Sequence, residues 1–169
     1  MKIGIVLPSN PAYSETFFRN KIEGLQEKGI EVIVFVKTLT LKGEYICPIK
    51  VHPNFHSNSG LRLLQSLSIL LKLLLTAPRP TLRIIKIARE NGFSLLKSVK
   101  AAAIAARILP EKLDWLHFGY ATAALEREFI GQAIGAKVAV SFRGYDINQL
   151  PLSMKEPYTL LWKNVHKVH

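Results

Sequence analysis

The chain alternates short apolar runs with longer stretches of helical periodicity. Residues 2–7 form a β-branched apolar run that ends at Pro8, the pattern of a short buried strand. After the loop of Pro8, Ser9, Asn10, Pro11 and Ala12, apolar residues recur at Phe17, Phe18, Ile22 and Leu25. That spacing predicts a helix over 14–28, with Ser14 as N-cap and Gly29 as its stop. Residues 31–36 predict a second buried strand, so the first forty residues read as a strand–helix–strand unit with a right-handed parallel crossover.

Residues 38–50 are turn-rich, with a third strand expected at 46–51. A helix is expected at 61–76, where Arg62, Gln65, Ser66, Ser68, Lys72 and Thr76 fall to one side of a wide apolar face. Pro78 and Pro80 are expected to end it. Two further helices follow at 81–90 and 93–109, the second supported by Ala101, Ala102 and Ala103. The remaining pattern predicts a strand at 114–118, a helix at 122–134 closed by Gly135, a strand at 137–142 and a helix near 158–163. A further strand opens at Val165. Strands and helices in alternation define the α/β class, a Rossmann-like parallel sheet flanked by helices.

Composition sharpens this picture. The 169 residues are 49% hydrophobic and 21% charged, ordinary for a folded domain and wrong for a disordered one. Lys and Arg number 23 against 12 acids, a formal charge of +11. Ten of those basic residues lie within residues 60–112, against only Glu90 and Glu111. A surplus so concentrated predicts a local basic surface suited to phosphates, nucleic acid or an anionic membrane. Cys47 is the only cysteine, so no intrachain disulfide can form, and no His/Cys cluster has zinc-ligand spacing. A reducing cytoplasm fits, and no metal or cofactor is expected. The first apolar run is too short for a signal peptide, and polar residues interrupt 61–75, which argues against a spanning helix.

In open parallel sheets, ligands sit outside the carboxyl ends of the strands. Three loops occupy such positions. No glycine-rich phosphate loop follows the first strand, which disfavours a dinucleotide or ATP site there. Ser14 and Glu15 open the first helix instead. There the backbone amides can take a phosphate or sugar oxygen, or Ser14 can simply cap the helix. His117, ending the fourth strand, can bond a sugar hydroxyl or phosphate and switch charge, or be a satisfied structural histidine. Gly119 beside it permits close backbone approach. After the fifth strand come Arg143, Gly144, Tyr145 and Asp146. Arg143 suits forked contact with phosphate, and Asp146 can accept from sugar hydroxyls; alternatively the two pair internally and shape the loop.

These segments, taken in order, resemble family-four glycosyltransferases. The matching features are the first strand with its Pro-containing loop, Ser14-Glu15-Thr16-Phe17, and a helix ending Glu27-Lys28-Gly29-Ile30-Glu31-Val32. Two more follow at family spacing: Asp114-Trp115-Leu116-His117-Phe118-Gly119 and Ser141-Phe142-Arg143-Gly144-Tyr145-Asp146. The resemblance implies the N-terminal, acceptor-side half of a two-domain GT-B fold. It implies a retaining enzyme that moves a sugar from a nucleotide-sugar donor to a glycan, lipid or polyprenyl-linked acceptor, usually without a metal. By the same resemblance, residues 1–169 are one domain. The donor-binding half with its paired glutamates lies outside this chain, so the fragment alone is expected to be inactive.

Carried over, His117 sits near the transferring sugar as the candidate catalytic residue. Arg143, Gly144 and Asp146 line the cleft, and Ser14 and Glu15 face the donor. Two positions depart from the family. A Gly-Gly pair is replaced by Pro8-Ser9-Asn10-Pro11, and the usual histidine of the substrate loop is Arg143, so the donor phosphate contacts are not carried over. The basic block beside an apolar helical face further predicts peripheral attachment at the inner membrane face, where a lipid-carrier or lipopolysaccharide acceptor of cell-envelope synthesis would be met.

Two other classes remain. A non-catalytic basic α/β module could bind nucleic acid or phosphate ligands, but basics and aromatics are not interleaved as in a single-strand platform, and nucleic acid is not expected. A phosphate-binding domain of response-regulator type would want an acidic cluster after strands one and three, whereas strand one ends in Leu7-Pro8.

Overall fold

The computed structural model describes residues 1–10, 16–39 and 46–169. Six strands, all parallel, form one sheet: β1 (Lys2–Ser9), β2 (Glu31–Thr38), β3 (Ile49–Val51), β4 (Trp115–Phe118), β5 (Lys137–Val140) and β6 (Lys167–Val168). Their spatial order is β3-β2-β1-β4-β5-β6, the doubly wound order, with the reversal between β1 and β4. Register places Ile5 beside both Val34 and His117, and His117 beside Ala139.

Alternation along the strands divides the core in two. Ile5, Leu7, Val32, Val34 and Val36 point to one face, covered by Phe18 and Ile22 of α1 (Thr16–Glu27). Val6, Ile33, Phe35, Leu116, Phe118, Val138 and Val140 point to the other. That face carries the main core, packed by α2 (Ser59–Thr76), α3 (Pro78–Glu90), α4 (Leu95–Ile104), α5 (Ala121–Ala124) and α6 (Ile130–Ile134). After β5 the chain makes two short helices, α7 (Gly144–Asn148) and α8 (Leu150–Ser153). Then α9 (Thr159–Asn164) returns Tyr158 and Leu161 to the main core.

Several expectations are corrected. Pro78 and Pro80 open α3 rather than only ending α2, because a missing N–H costs nothing in the first turn of a helix. The expected helix 122–134 is split into α5 and α6, with Glu126 at a φ of 62° between them. Gly135 closes α6 in the left-handed conformation, as its identity predicted. The loop holding Arg143 is itself helical from Gly144, which periodicity did not reveal over five residues.

The apolar face of α2 lies mostly outside the core: Leu73 is its buried residue, while Leu61, Leu63, Leu64, Leu67, Leu71 and Leu75 are exposed. One expectation about it is corrected: its polar residues argued against a spanning helix, yet by length and composition alone α2 is apolar enough to cross a membrane. Its neighbour α3 behaves as an ordinary amphipathic helix, burying Thr81, Ile84, Ile87 and Ala88.

Ion pairs gather at the amino ends of the strands. Lys2 Nζ meets Glu31 at 2.8 Å and Glu111 at 3.3 Å, and Glu111 also pairs with Lys50. Glu31 and Glu111 are thus paired at the edge opposite the carboxyl-end loops.

Candidate functional site

The carboxyl ends of β4 and β5 bring His117 and Arg143 together, as expected for neighbouring parallel strands. His117 faces the α1 side of the sheet, since Leu116 and Phe118 on either side enter the main core. It is only 4% exposed. Its Nε2 shares a hydrogen bond of 3.0 Å with Ser141 Oγ, while its buried Nδ1 has no partner. Burial, then the nearby basic groups Lys21, His169 and Arg143, push its pKa down to about 3. The imidazole is therefore neutral at physiological pH. This corrects the charge-switching role expected for it: it can offer a hydrogen bond there, not a positive charge.

Arg143 forms the outer wall. Its guanidinium lies over three rings, 4.7 Å from Phe17, 4.9 Å from Phe18 and 5.3 Å from Tyr120. Flat contacts of this kind hold an arginine in place while leaving its in-plane donors available. One donor, Nε, reaches toward Gly119 O at 3.5 Å.

Asp146 takes a different part from the one expected of it. It is 1% exposed, and its carboxylate accepts from three backbone amides: Ala121 at 3.2 Å, Thr122 at 3.0 Å and Arg143 at 2.9 Å. It thereby ties the start of α5 to the start of α7, and Tyr158 Oη donates to its backbone carbonyl at 3.0 Å. Asp146 builds the loop that presents Arg143 rather than facing outward. The expected internal pairing of Arg143 with Asp146 exists through the Arg143 amide, not its guanidinium. Gly119 is small for packing reasons: a Cβ there would collide with Leu7 and come within 2.8 Å of Phe18. At Gly144 a Cβ would meet only Asn148 Nδ2, at 4.0 Å. Ser14 and Glu15 lie outside the described residues.

Three participants escaped the sequence reading. Lys21 lies within the inward stripe of α1, between Phe18, Ile22 and Leu25. Its pKa is lowered first by burial, then by Arg143 and Lys167. His169 stands with its ring 6.0 Å from that of His117, and its pKa is lowered by burial, Lys21 and Lys167. Ser141 was noted within a motif but not as the partner of His117. A lysine in an apolar helical stripe was a readable signal; the approach of β6 to β5, which delivers His169, was not.

Lys21, Arg143, Lys167 and His169 thus crowd one corner, and no carboxylate among the described residues forms a salt bridge with any of them. Like charges held together raise each other's energy, and an incoming anion relieves it. No family model matches this chain, and no curated protein matches it. What stands on the structure is a Rossmann-like α/β domain with an uncompensated basic corner at the carboxyl ends of β4, β5 and β6.

Proposed function

We propose that this chain is the acceptor-side N-terminal domain of a retaining GT-B glycosyltransferase that uses a nucleotide-sugar donor and a glycan or lipid-linked acceptor. The observation that carries the reading is the convergence of the cations Lys21 and Arg143, with His169 beside them, on neutral His117 at the end of β4, one of the two strands that flank the reversal. The cations suit the phosphates of a sugar nucleotide or carrier. The neutral imidazole suits a sugar hydroxyl through Nδ1, its Nε2 being held by Ser141. Catalysis in this reading is positioning and electrostatic stabilisation at the corner, with His117 oriented by Ser141.

The exposed leucines of α2 support a membrane-facing acceptor. They stand beside Arg62 and Lys72, and an apolar face rimmed by cations suits an anionic leaflet. Co-sedimentation with anionic vesicles that falls as salt rises would support this placement. Equal partitioning to neutral and anionic vesicles, or none to either, would count against it.

The central test measures nucleotide-sugar turnover for residues 1–169 and for the longest encoded polypeptide containing them. Turnover is expected only from the longer polypeptide, with a loss of about tenfold or more in a Lys21→Gln/Arg143→Gln variant, the loss of charge-assisted hydrogen bonds. Turnover by residues 1–169 alone, or an unaffected double variant, would sink the proposal.

A further inference from the structure

A second space at the strand ends lies apart from the His117 corner. It is a pocket of about 750 Å³ on the other side of the β1 end, where Leu7, Pro8, Lys37, His52 and the loop through Ser57 face Arg62, Lys100, Thr122 and Arg127. Its lining includes neither His117 nor Arg143.

His52 is part of the lining of this pocket. It directly follows β3, and its amide donates to Val36 O at 2.8 Å, which extends the pairing with β2 by one residue. The residue is 6% exposed, and neither ring nitrogen has a hydrogen-bond partner. The ring is fixed by Phe35, 6.2 Å away. Burial and then Arg127 push its pKa down to about 4; the nearby Ile104 carbonyl opposes the drop, and Arg107 adds to it. Two orphaned ring nitrogens in the interior carry a desolvation cost that a ligand would relieve.

The charges around it are mostly positive. Lys37, Arg62, Lys100 and Arg127 line the pocket against Glu126, which Lys100 meets at 2.8 Å. Arg127 donates through Nη1 to Ala123 O at 3.2 Å, while its buried Nε has no partner. The outer wall is preorganised. Arg62 donates to the carbonyls of His56 at 3.0 Å and Ser57 at 2.6 Å, and Gln65 donates to Asn54 O at 2.7 Å. Arg107 Nε holds Val51 O at 3.1 Å just before His52.

We propose that this pocket binds a phosphate ester bearing hydroxyl groups, with Arg127, Lys37 and Lys100 receiving the phosphate and the His52 ring bonding a hydroxyl. The cations suit phosphate oxygens, and a neutral imidazole has one donor and one acceptor to give a hydroxyl. A simple anion would leave the histidine unused, and a neutral sugar would leave the cations so. The same chemistry is offered by a soluble sugar phosphate or by a phospholipid headgroup reached from the rim at Arg62 and Ser66, where α2 begins. This assignment does not rest on glycosyl transfer.

The test follows the His52 ring resonances of the 169-residue chain by NMR. Inorganic phosphate and glucose 6-phosphate are titrated separately, against chloride at matched ionic strength. A parallel arm measures co-sedimentation with phosphatidylglycerol vesicles. Lys37→Gln/Lys100→Gln removes two exposed cations from the pocket, and Lys28→Gln/Lys86→Gln removes the same charge elsewhere. A saturable His52 shift with a Kd on the order of 1 mM or tighter, weakened about tenfold or more in the pocket variant only, supports a soluble ester. Vesicle binding lost in the pocket variant and kept in the control, without a shift from soluble phosphates, supports a headgroup. Neither response, or responses equal in the two variants, overturns the proposal and leaves the pocket to water.

Discussion

His117 and His52 stand at the carboxyl ends of β4 and β3, both nearly buried and both uncharged at neutral pH. Their surroundings separate them. His117 is bonded to Ser141, backed by Gly119 packed tightly on Leu7 and Phe18, and looked upon by Lys21, Arg143 and His169. His52 has no hydrogen-bond partner and fronts a pocket of about 750 Å³. Burial and a lowered pKa therefore do not by themselves mark a binding residue. What distinguishes the two is that His52, without a hydrogen-bond partner, belongs to the lining of a cavity, whereas His117 is held by Ser141. At His117 the cations lie beyond the ring; at His52 they share its cavity.

The largest expected effect applies to both residues and tests their common feature. A histidine whose folded pKa is depressed makes the fold sensitive to acid. The unfolded chain takes up protons as pH falls below about 6.5, and the folded chain resists until about 4 at His52 and about 3 at His117. Stability from these two sites is full above pH 6.5 and declines as pH drops toward 4, by an amount on the order of a few kcal/mol. Chemical denaturation across this range is expected to show that slope, and His52→Gln and His117→Gln should each flatten part of it. An unchanged slope in either variant would remove that histidine from the comparison.

Packing should be the next largest difference. Gly119→Ala forces a methyl group against Leu7 and Phe18 and is expected to cost about 1–3 kcal/mol, read as a lower denaturation midpoint. Lys37→Gln, on the open wall beside His52, should stay within about 0.5 kcal/mol of the parent. Equal costs at the two positions would erase the distinction between a filled and an open strand end.

The bond to Ser141 gives a smaller contrast. Ser141→Ala removes the one partner of the buried His117 ring and should destabilise by about 1–2 kcal/mol, with Ser141→Thr recovering much of the loss. A comparable effect is a rise in stability on adding phosphate, about 1.4 kcal/mol at a tenfold excess over Kd. It should survive Ser141→Ala and vanish in Lys37→Gln/Lys100→Gln. Thermal unfolding with and without phosphate checks both.

Much of this molecule was legible in its sequence. The runs at 2–7 and 31–36 had to be buried strands, because continuous β-branched apolar residues suit a sheet covered on both faces. Gly135 had to end a helix, and the helix-punctuated strands implied a parallel sheet. Arg143 and His117 could be placed near each other because each follows a strand in a parallel sheet. The argument that singled out His117, a histidine at a strand's carboxyl end, applies equally to His52, which lies one residue beyond the strand expected at 46–51.

Tertiary structure alone decided the rest. Asp146 could have faced solvent or loop, and three backbone amides from separate segments settled it, a convergence that no local pattern encodes. The leucines of α2 have the composition of a core face, yet they stay exposed because the main core takes only Leu73 among its buried residues and packs Ile69 at its edge. Periodicity reports which side chains share a face of a helix; whether that face meets protein depends on the neighbours that arrive from elsewhere in the chain. The same holds for charge. Sequence determined that the domain is strongly basic, but only the fold could gather Glu31 and Glu111 at the amino ends of the strands and bring cations from α1, α2, β2 and the turns after β5 and α5 to the opposite edge.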